Sequence, residues 1–173
     1  MTEVRDYDPS WPAVAEAARA EVLAACPGVF AEIEHVGSTS VPGLAAKPII
    51  DLMASIPTLD DAPVDRLAGL DFQLLDVGMA GRLFFIRDRD GVRTHHLHVV
   101  PADTWAHRNE RLLRDHLRAS PEDARAYGEL KQRLATEGLE GEAYTRAKTA
   151  LIQTLTDRAR AAYGLPSVPV WED

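Results

Sequence analysis

Apolar residues change their spacing twice along the chain. Near the N-terminus they recur every three or four residues, as on one face of a helix, and Pro27-Gly28 ends this pattern. Between residues 29 and 100 they form short runs separated by glycine and aspartate, which is typical of strands. From residue 103 onward the helical spacing returns. The pattern predicts helices over about 11–25, 41–46, 61–70, 104–118, 121–136 and 142–163, and strands over about 29–36, 48–56, 72–77, 83–87 and 94–100.

The order of these elements favours a mixed α/β (α+β) fold. Strands and helices share the first part of the chain, and Asp90-Gly91 is a strong hairpin signal between two of the strands. We therefore predict an α/β core with a mixed β-sheet over residues 1–102, followed by a C-terminal three-helix part over residues 103–173. A chain of 173 residues is expected to fold as one compact unit, with the helical part packed on the core.

Composition and charge narrow the class of partner. Apolar residues make up 46% of the chain, enough for a core, and the net charge of -8 argues against general nucleic-acid binding, which needs a basic surface. Cys26 is the single cysteine, so no internal disulfide can form and a cytoplasmic location is favoured. No run approaches the ~20 apolar residues that span a bilayer, and the N-terminus lacks a signal-peptide pattern, so no membrane partner is expected. The oligomeric state stays open.

The segment EHVGSTSVPGLAAKPIID, residues 34–51, carries the main candidate site. A short apolar run leads into Gly37-Ser38, and a second apolar run contains the carboxylate of Asp51. Glycine lets a ligand approach the backbone, serine adds a hydroxyl, and a buried aspartate needs a cation or hydrogen-bond donors. The spacing favours a phosphate-binding turn beside a metal-binding Asp51. A tight turn between two core strands, with backbone amides bound to Asp51, explains the pattern equally well.

A second polar cluster is His95-His96-Leu97-His98. Alternate residues of a strand share a face, so His96 and His98 are expected to point the same way, about 7 Å apart. They can bind one divalent metal, donate to phosphate oxygens or exchange protons, and a nearby Asp51 would complete a two-histidine, one-carboxylate set. A hydrogen-bonded histidine pair on a half-exposed strand is the alternative.

The predicted C-terminal helices carry tyrosine and lysine four residues apart, first as Tyr127 and Lys131 and then as Tyr144 and Lys148. Such pairs can frame a base or sugar and a phosphate chain. The alternative is a set of solvated lysines whose stems lie over core aromatic rings.

Two familiar phosphate motifs do not match, and a hydrolase motif is incomplete. Five residues lie between Gly37 and Gly43, and Lys47 is followed by proline, so the chain has no P-loop; it has no G-x-G-x-x-G either. Ser38 or Ser40 could serve a Ser-His-Asp hydrolase, but neither lies in a G-x-S-x-G elbow.

The run EHVGSTSVPGLAAKPIIDL resembles the signature of the GrpB family, an uncharacterised group assigned to the nucleotidyltransferase superfamily. The resemblance extends over nearly the whole chain, through residues 7–11, 82–85, 96–99 and 114–118 and the two tyrosine–lysine pairs. It implies a nucleotidyltransferase-like mixed β-sheet core with helices.

In that superfamily a Gly-Ser turn holds the triphosphate, two carboxylates on the next strand bind Mg²⁺, and a third lies on a neighbouring strand. Carried over, Gly37-Ser38 matches the turn and Asp51 the first carboxylate, but Met53 stands at the second. Methionine is a poor ligand for a hard cation. A single-metal site of Asp51 with His96 and His98 is the alternative, and it would favour Mn²⁺, Zn²⁺ or Fe²⁺ over Mg²⁺.

Three functions follow from this resemblance and from the residues. The first is a metal-dependent nucleotidyltransferase-like enzyme acting on a nucleotide or phosphorylated small molecule. Its expected residues are Ser38 and Asp51 for catalysis, Gly37, Ser38, Tyr127, Lys131 and Lys148 for substrate and phosphate, and Asp51, His96 and His98 for Mg²⁺, Mn²⁺ or Zn²⁺. The second is a non-catalytic module that binds a nucleotide or metabolite, which the missing second carboxylate favours. The third, a metal-dependent phosphohydrolase that uses the two histidines, fits least well because the chain has a single His-x-His.

Overall fold

A computed structural model describes residues 3–170, which form two compact units. The sheet unit consists of residues 10–40 and 49–106. The helical unit consists of the N-terminal residues up to Pro9, the segment Val41–Pro48 and the chain from His107 onward.

The sheet unit contains a mixed five-stranded sheet in the order β1-β2-β5-β4-β3. Its elements are α1 (Trp11–Ala25), β1 (Glu32–Val36), β2 (Ile50–Ile56), α2 (Val64–Ala68), β3 (Phe72–Leu74), β4 (Leu83–Arg89) and β5 (Val92–Pro101). The strands β2 and β5 run parallel, and the other neighbouring strands pair antiparallel. Short 3-10 turns follow β1 at Ser38–Ser40 and β2 at Leu59–Asp61.

The burial of the central strand β2 explains its apolar sequence. It is almost continuously apolar because both of its faces are covered, and Leu52 and Met53, which point to opposite faces, are both fully buried. The helix α1 packs against β1 and β2 and buries a stripe of small and apolar side chains. The sheet therefore has one face that is covered by α1 and another on which Asp51, His96 and His98 lie.

The helical unit contains three helices. They are α3 (Asn109–Ala119), α4 (Pro121–Thr136) and α5 (Gly141–Ala161). Their core is an apolar cluster that includes Leu117, Tyr127 and Leu155, and the segment Val41–Pro48 adds Val41 and Leu44 to it.

The predicted fold class is confirmed, with corrections to individual elements. The predicted helix over 41–46 is wrong, because Pro42 and Gly43, which has a φ of 79°, interrupt the helical backbone. The helix predicted over 61–70 begins only after Pro63. The strand predicted over 72–77 ends at Leu74, and the last strand is longer than predicted.

The search for membrane spans gives a negative result. Among the helices of residues 3–170, none combines the length and the apolar character that crossing a bilayer requires.

Candidate functional site

The turn after β1 brings the main chain against a carboxylate. Gly37 has a φ of 73°, a conformation that favours glycine, and the turn is closed by a bond from the Ser40 amide to the Gly37 carbonyl (3.2 Å). A Cβ atom built on Gly37 would overlap Oδ2 of Asp51 and lie 2.9 Å from its Cγ. The close approach predicted for a ligand at Gly37 is thus made by Asp51. Ser38, on the other side of the turn, is half-buried.

Asp51 lies beside both predicted imidazoles. Strands β2 and β5 pair so that Asp51 faces His96 in the register. His96 Nδ1 donates to Asp51 Oδ1 at 2.9 Å, and Nε2 of His98 lies 4.0 Å from the same oxygen. The expected convergence of these three side chains is therefore present. The hydrogen-bond donor to Asp51 is a histidine, whereas the alternative expected backbone amides.

Two arginines contact the imidazole nitrogens that point away from Asp51. Arg82 Nη1 donates to His98 Nδ1 at 3.3 Å, and Arg93 Nη1 donates to His96 Nε2 at 3.5 Å. A guanidinium can only donate, so these contacts place lone pairs on the arginine side and N–H groups on the Asp51 side of both neutral rings. Arg93 also forms an ion pair with Asp88. The site is thus a carboxylate that is hydrogen-bonded to His96 and lies near His98, with an arginine on the outer nitrogen of each ring.

Phe84 supplies the apolar floor of this cluster. It lies opposite His98 in the β4–β5 register, and its ring centroid is 5.0 Å from that of His96 and 4.9 Å from that of His98. The two imidazole centroids are 6.5 Å apart, close to the predicted spacing. Sequence reasoning did not assign Arg82, Phe84 or Arg93 to the site. Their alternation along β4 and near the start of β5 is the signal that points to them.

Met53 is part of the hydrophobic core. It is fully buried and forms an apolar cluster with Val36 and Val100, against which Trp105 packs. The position that the superfamily pattern reserves for the second carboxylate therefore lies in an environment where a charge would be strongly unfavourable.

A divalent cation at Asp51, His96 and His98 would have to replace hydrogen bonds that these side chains already make. Within residues 3–170, no group of three or more His, Cys, Asp or Glu side chains is arranged to hold a metal ion. Binding a metal through His98 Nε2 would move the ring proton to Nδ1, where Arg82 already donates. His96 Nδ1 is likewise occupied by its bond to Asp51. The metal centre of Asp51, His96 and His98 stays a prediction.

The predicted tyrosine–lysine pairs lie in the helical unit. The Lys131 ammonium is 4.4 Å from the centroid of the Tyr127 ring, and that of Lys148 is 4.4 Å from the centroid of Tyr144. Lys131 is only 3% exposed, so the solvated alternative is wrong for this residue. Sequence reasoning missed Lys47, whose ammonium lies 4.5 Å from the Tyr144 ring.

Burial shifts the titration of two members of this group. It raises the pKa of Tyr144 to about 12, and within residues 3–170 the Tyr144 hydroxyl has no hydrogen-bond partner. Burial also lowers the pKa of Lys47, an effect that the charge of Glu140 opposes. Lys47 and Lys148 therefore lie beside a tyrosine, Tyr144, whose hydroxyl stays neutral over the usual pH range.

Comparison with known proteins identifies the family of this chain. The family described as GrpB protein matches residues 1–158. The chain belongs to the GrpB family. A UPF0157 protein of Pseudomonas aeruginosa is 41% identical, covering 96% of this chain and 71% of that protein. The crystal structure of the conserved protein GrpB from Enterococcus faecalis has a TM-score of 0.85 at 29% identity, over 94% of this chain and 99% of that one.

A more distant likeness concerns the fold alone. The structure of the GLD-2/RNP-8 complex matches with a TM-score of 0.51 at 12% identity, covering 84% of this GrpB chain and 59% of that chain. The predicted fold class, a mixed β-sheet core with helices, is confirmed.

Proposed function

We propose that this GrpB chain binds a nucleotide or another phosphorylated small molecule at the Asp51 site and does not perform two-metal nucleotidyl transfer. The observation that carries the proposal is Met53, a core residue at the place of the second metal-binding carboxylate. The Gly37-Ser38 turn follows β1 and Asp51 lies on β2, an order that supports the layout implied by the family resemblance. The second function foreseen from the sequence, a non-catalytic binding module, is therefore favoured.

The chemistry of transfer explains why Met53 matters. Two metal ions about 3.5–4 Å apart repel each other strongly unless anionic ligands lie between them. In this chain Asp51 is the one carboxylate of the predicted set, and it already accepts a hydrogen bond from His96. Binding of a phosphorylated molecule does not require that second carboxylate.

The charges around Asp51 suit an anionic ligand. The guanidiniums of Arg82 and Arg93 lie on the outer nitrogens of the two imidazoles, where they can offset the Asp51 charge. Arginine presents a planar set of donors that matches phosphate oxygens. In the proposal Arg82 and Ser38 contact the phosphate, while Asp51 acts as a positioning residue that fixes the orientation of His96.

Isothermal titration tests this proposal with nucleoside triphosphates and with a panel of sugar phosphates, in EDTA and with Mg²⁺, Mn²⁺ or Zn²⁺. We expect binding in EDTA that Arg82→Gln weakens about tenfold or more, since a lost charge-assisted bond costs about 1.5–3 kcal/mol. Arg89→Gln is the matched control, because Arg89 is exposed at the end of the same strand.

Three results would contradict the proposal in different ways. Release of pyrophosphate at a turnover rate that Asp51→Asn removes would identify a transferase. Binding that requires a divalent metal and disappears in Asp51→Asn would restore the predicted metal centre. No heat with any member of the panel would exclude the binding function itself.

Lys131 and Lys148 stay predicted phosphate contacts of the helical unit. If they bind phosphate, Lys148→Met should weaken the affinity measured in the same titration. Unchanged affinity in both Lys148→Met and Lys131→Met would leave these lysines a role within the helical unit only.

A further inference from the structure

An unusual concentration of exposed apolar side chains follows β3. Leu74, Leu75, Val77 and Met79 are 46%, 40%, 44% and 39% exposed. Of the eight large hydrophobic side chains that are exposed within residues 3–170, these four fall within six consecutive positions. Scattered exposed apolar residues are normal, but a contiguous patch marks a binding surface.

These side chains line a groove with a defined shape. The Leu75 amide donates to the Phe84 carbonyl at 2.8 Å, and the Gly78 amide donates to Asp76 Oδ1 at 3.0 Å. Within the segment from Leu75 to Phe84, Gly78 and Gly81 have φ values of 71° and 67°, and these two residues turn the chain back toward β4. The groove is open to solvent and has a volume of about 340 Å³, within the range of small-molecule sites. We refer to it as the 74–84 groove.

The 74–84 groove continues into the Asp51 site through two shared residues. Arg82 and Phe84 line the groove, and the same two side chains contact His98. A ligand whose anionic group lies at Arg82 can therefore extend its remaining part along the groove.

The lining indicates the kind of group that would fill it. Apart from Arg82, the groove is lined by aliphatic side chains, Phe84 and one carboxylate, Asp76. Asp76 disfavours a second anionic group, so the charge of the ligand belongs at Arg82. An aliphatic wall offers little hydrogen bonding to the edges of a nucleobase, whereas it buries methylene groups well.

We propose that the 74–84 groove binds the aliphatic part of a phosphate ester whose phosphate lies at Arg82. This inference rests on the proposed function and narrows its ligand class from any phosphorylated molecule to an alkyl phosphate. Each methylene that enters the groove should strengthen binding about fourfold, because burying one contributes about 0.8 kcal/mol.

Titration of the full chain in EDTA with inorganic phosphate and with n-butyl, n-hexyl and n-octyl phosphate tests the inference. We expect n-hexyl phosphate to bind at least tenfold more tightly than inorganic phosphate, with affinity rising along the series until the groove is filled. Val77→Ser and Met79→Ser should each lower the ratio of the n-hexyl phosphate affinity to the inorganic phosphate affinity at least threefold. Val64→Ser is the matched control, since Val64 is similarly exposed (37%) on α2 and lies outside the groove.

The outcomes separate this inference from the proposed function. Binding of inorganic phosphate with no gain along the alkyl series would overturn the groove and leave the phosphate site. If none of the four probes binds while nucleotides do, the groove inference is also overturned and the proposed function stands. A concentration-dependent dimer in sedimentation that Val77→Ser abolishes, without any alkyl gain, would assign the groove to a second copy of the chain instead.

Discussion

Replacement of Gly37 by alanine tests whether the Asp51 carboxylate is held against the main chain. The new Cβ would overlap Oδ2 and lie 2.9 Å from Cγ and 3.0 Å from Cβ of Asp51. The carboxylate would have to move, and its bond from His96 would be lost or lengthened. The backbone would also carry a side chain at a φ of 73°.

The expected cost has two parts. A non-glycine residue in the left-handed region costs about 1–2 kcal/mol. Loss of a hydrogen bond to a charged group adds about 1.5–3 kcal/mol. We therefore expect Gly37→Ala to lower the free energy of unfolding by about 2.5–5 kcal/mol, a large share of the total for a domain.

Gly28→Ala is the control for the conformational part. Gly28 lies in the same unit with a φ of 72°, and a Cβ there would meet nothing within 4 Å. Urea unfolding should therefore show a loss of about 1–2 kcal/mol for Gly28→Ala. In an Asp51→Gly background the cost of Gly37→Ala should fall to about the same value, because Oδ2, Cγ and Cβ are all gone. An equal loss for both glycine variants in the wild-type background would refute the reasoning.

Three further predictions concern single side chains. Met53→Asp should destabilise the fold by about 3–5 kcal/mol because it buries an unpaired carboxylate, whereas Met53→Leu should cost less than about 1.5 kcal/mol, both measured by urea unfolding. In an absorbance titration of the folded protein, Tyr144 should ionise near pH 12. The free energy of unfolding should fall as the pH rises from about 10, where a tyrosine of the unfolded chain ionises. If all tyrosines of the folded protein ionise near pH 10, the burial of Tyr144 is contradicted. Burial acts to raise the pKa of Asp123, but hydrogen bonds from His116 and Arg158 outweigh it and leave the pKa below the ordinary value. Asp123→Asn should therefore cost about 1–2 kcal/mol at pH 7, and this difference should shrink as the pH falls below about 4; a difference that does not change with pH would exclude the ion pair as its cause.

The longer elements could be predicted because their sequence patterns are strong. Helix α4 has the predicted bounds, and Pro121 and Gly138 mark its ends in the sequence. The failed helix over 41–46 shows the limit of such patterns, since an apolar run that contains Pro42 and Gly43 packs as an irregular segment in the helical core. Tertiary packing there overrides local propensity.

The candidate site could be predicted only in part. The two histidines share a face because strands alternate, and the sequence alone gives that. The partners on β4 depend on a bulge between Arg87 and Asp88, which shifts the pairing of β4 with β5 by one residue. Without this shift Phe84 would face Leu97 and point to the opposite side of the sheet. Nothing in the Asp90-Gly91 hairpin signal reveals the bulge, so the contacts of Phe84 with the imidazoles required the structure.

The parallel pairing of β2 with β5 has a consequence for how this pocket comes into being. Asp51 and His96 are 45 positions apart, and two further strands lie between them along the chain. No fragment that stops before β5 can assemble the pocket, and the local β4–β5 hairpin can form without it. A ligand of this pocket would thus recognise only the finished sheet, and its binding would report the population of fully folded molecules rather than that of any partly folded form.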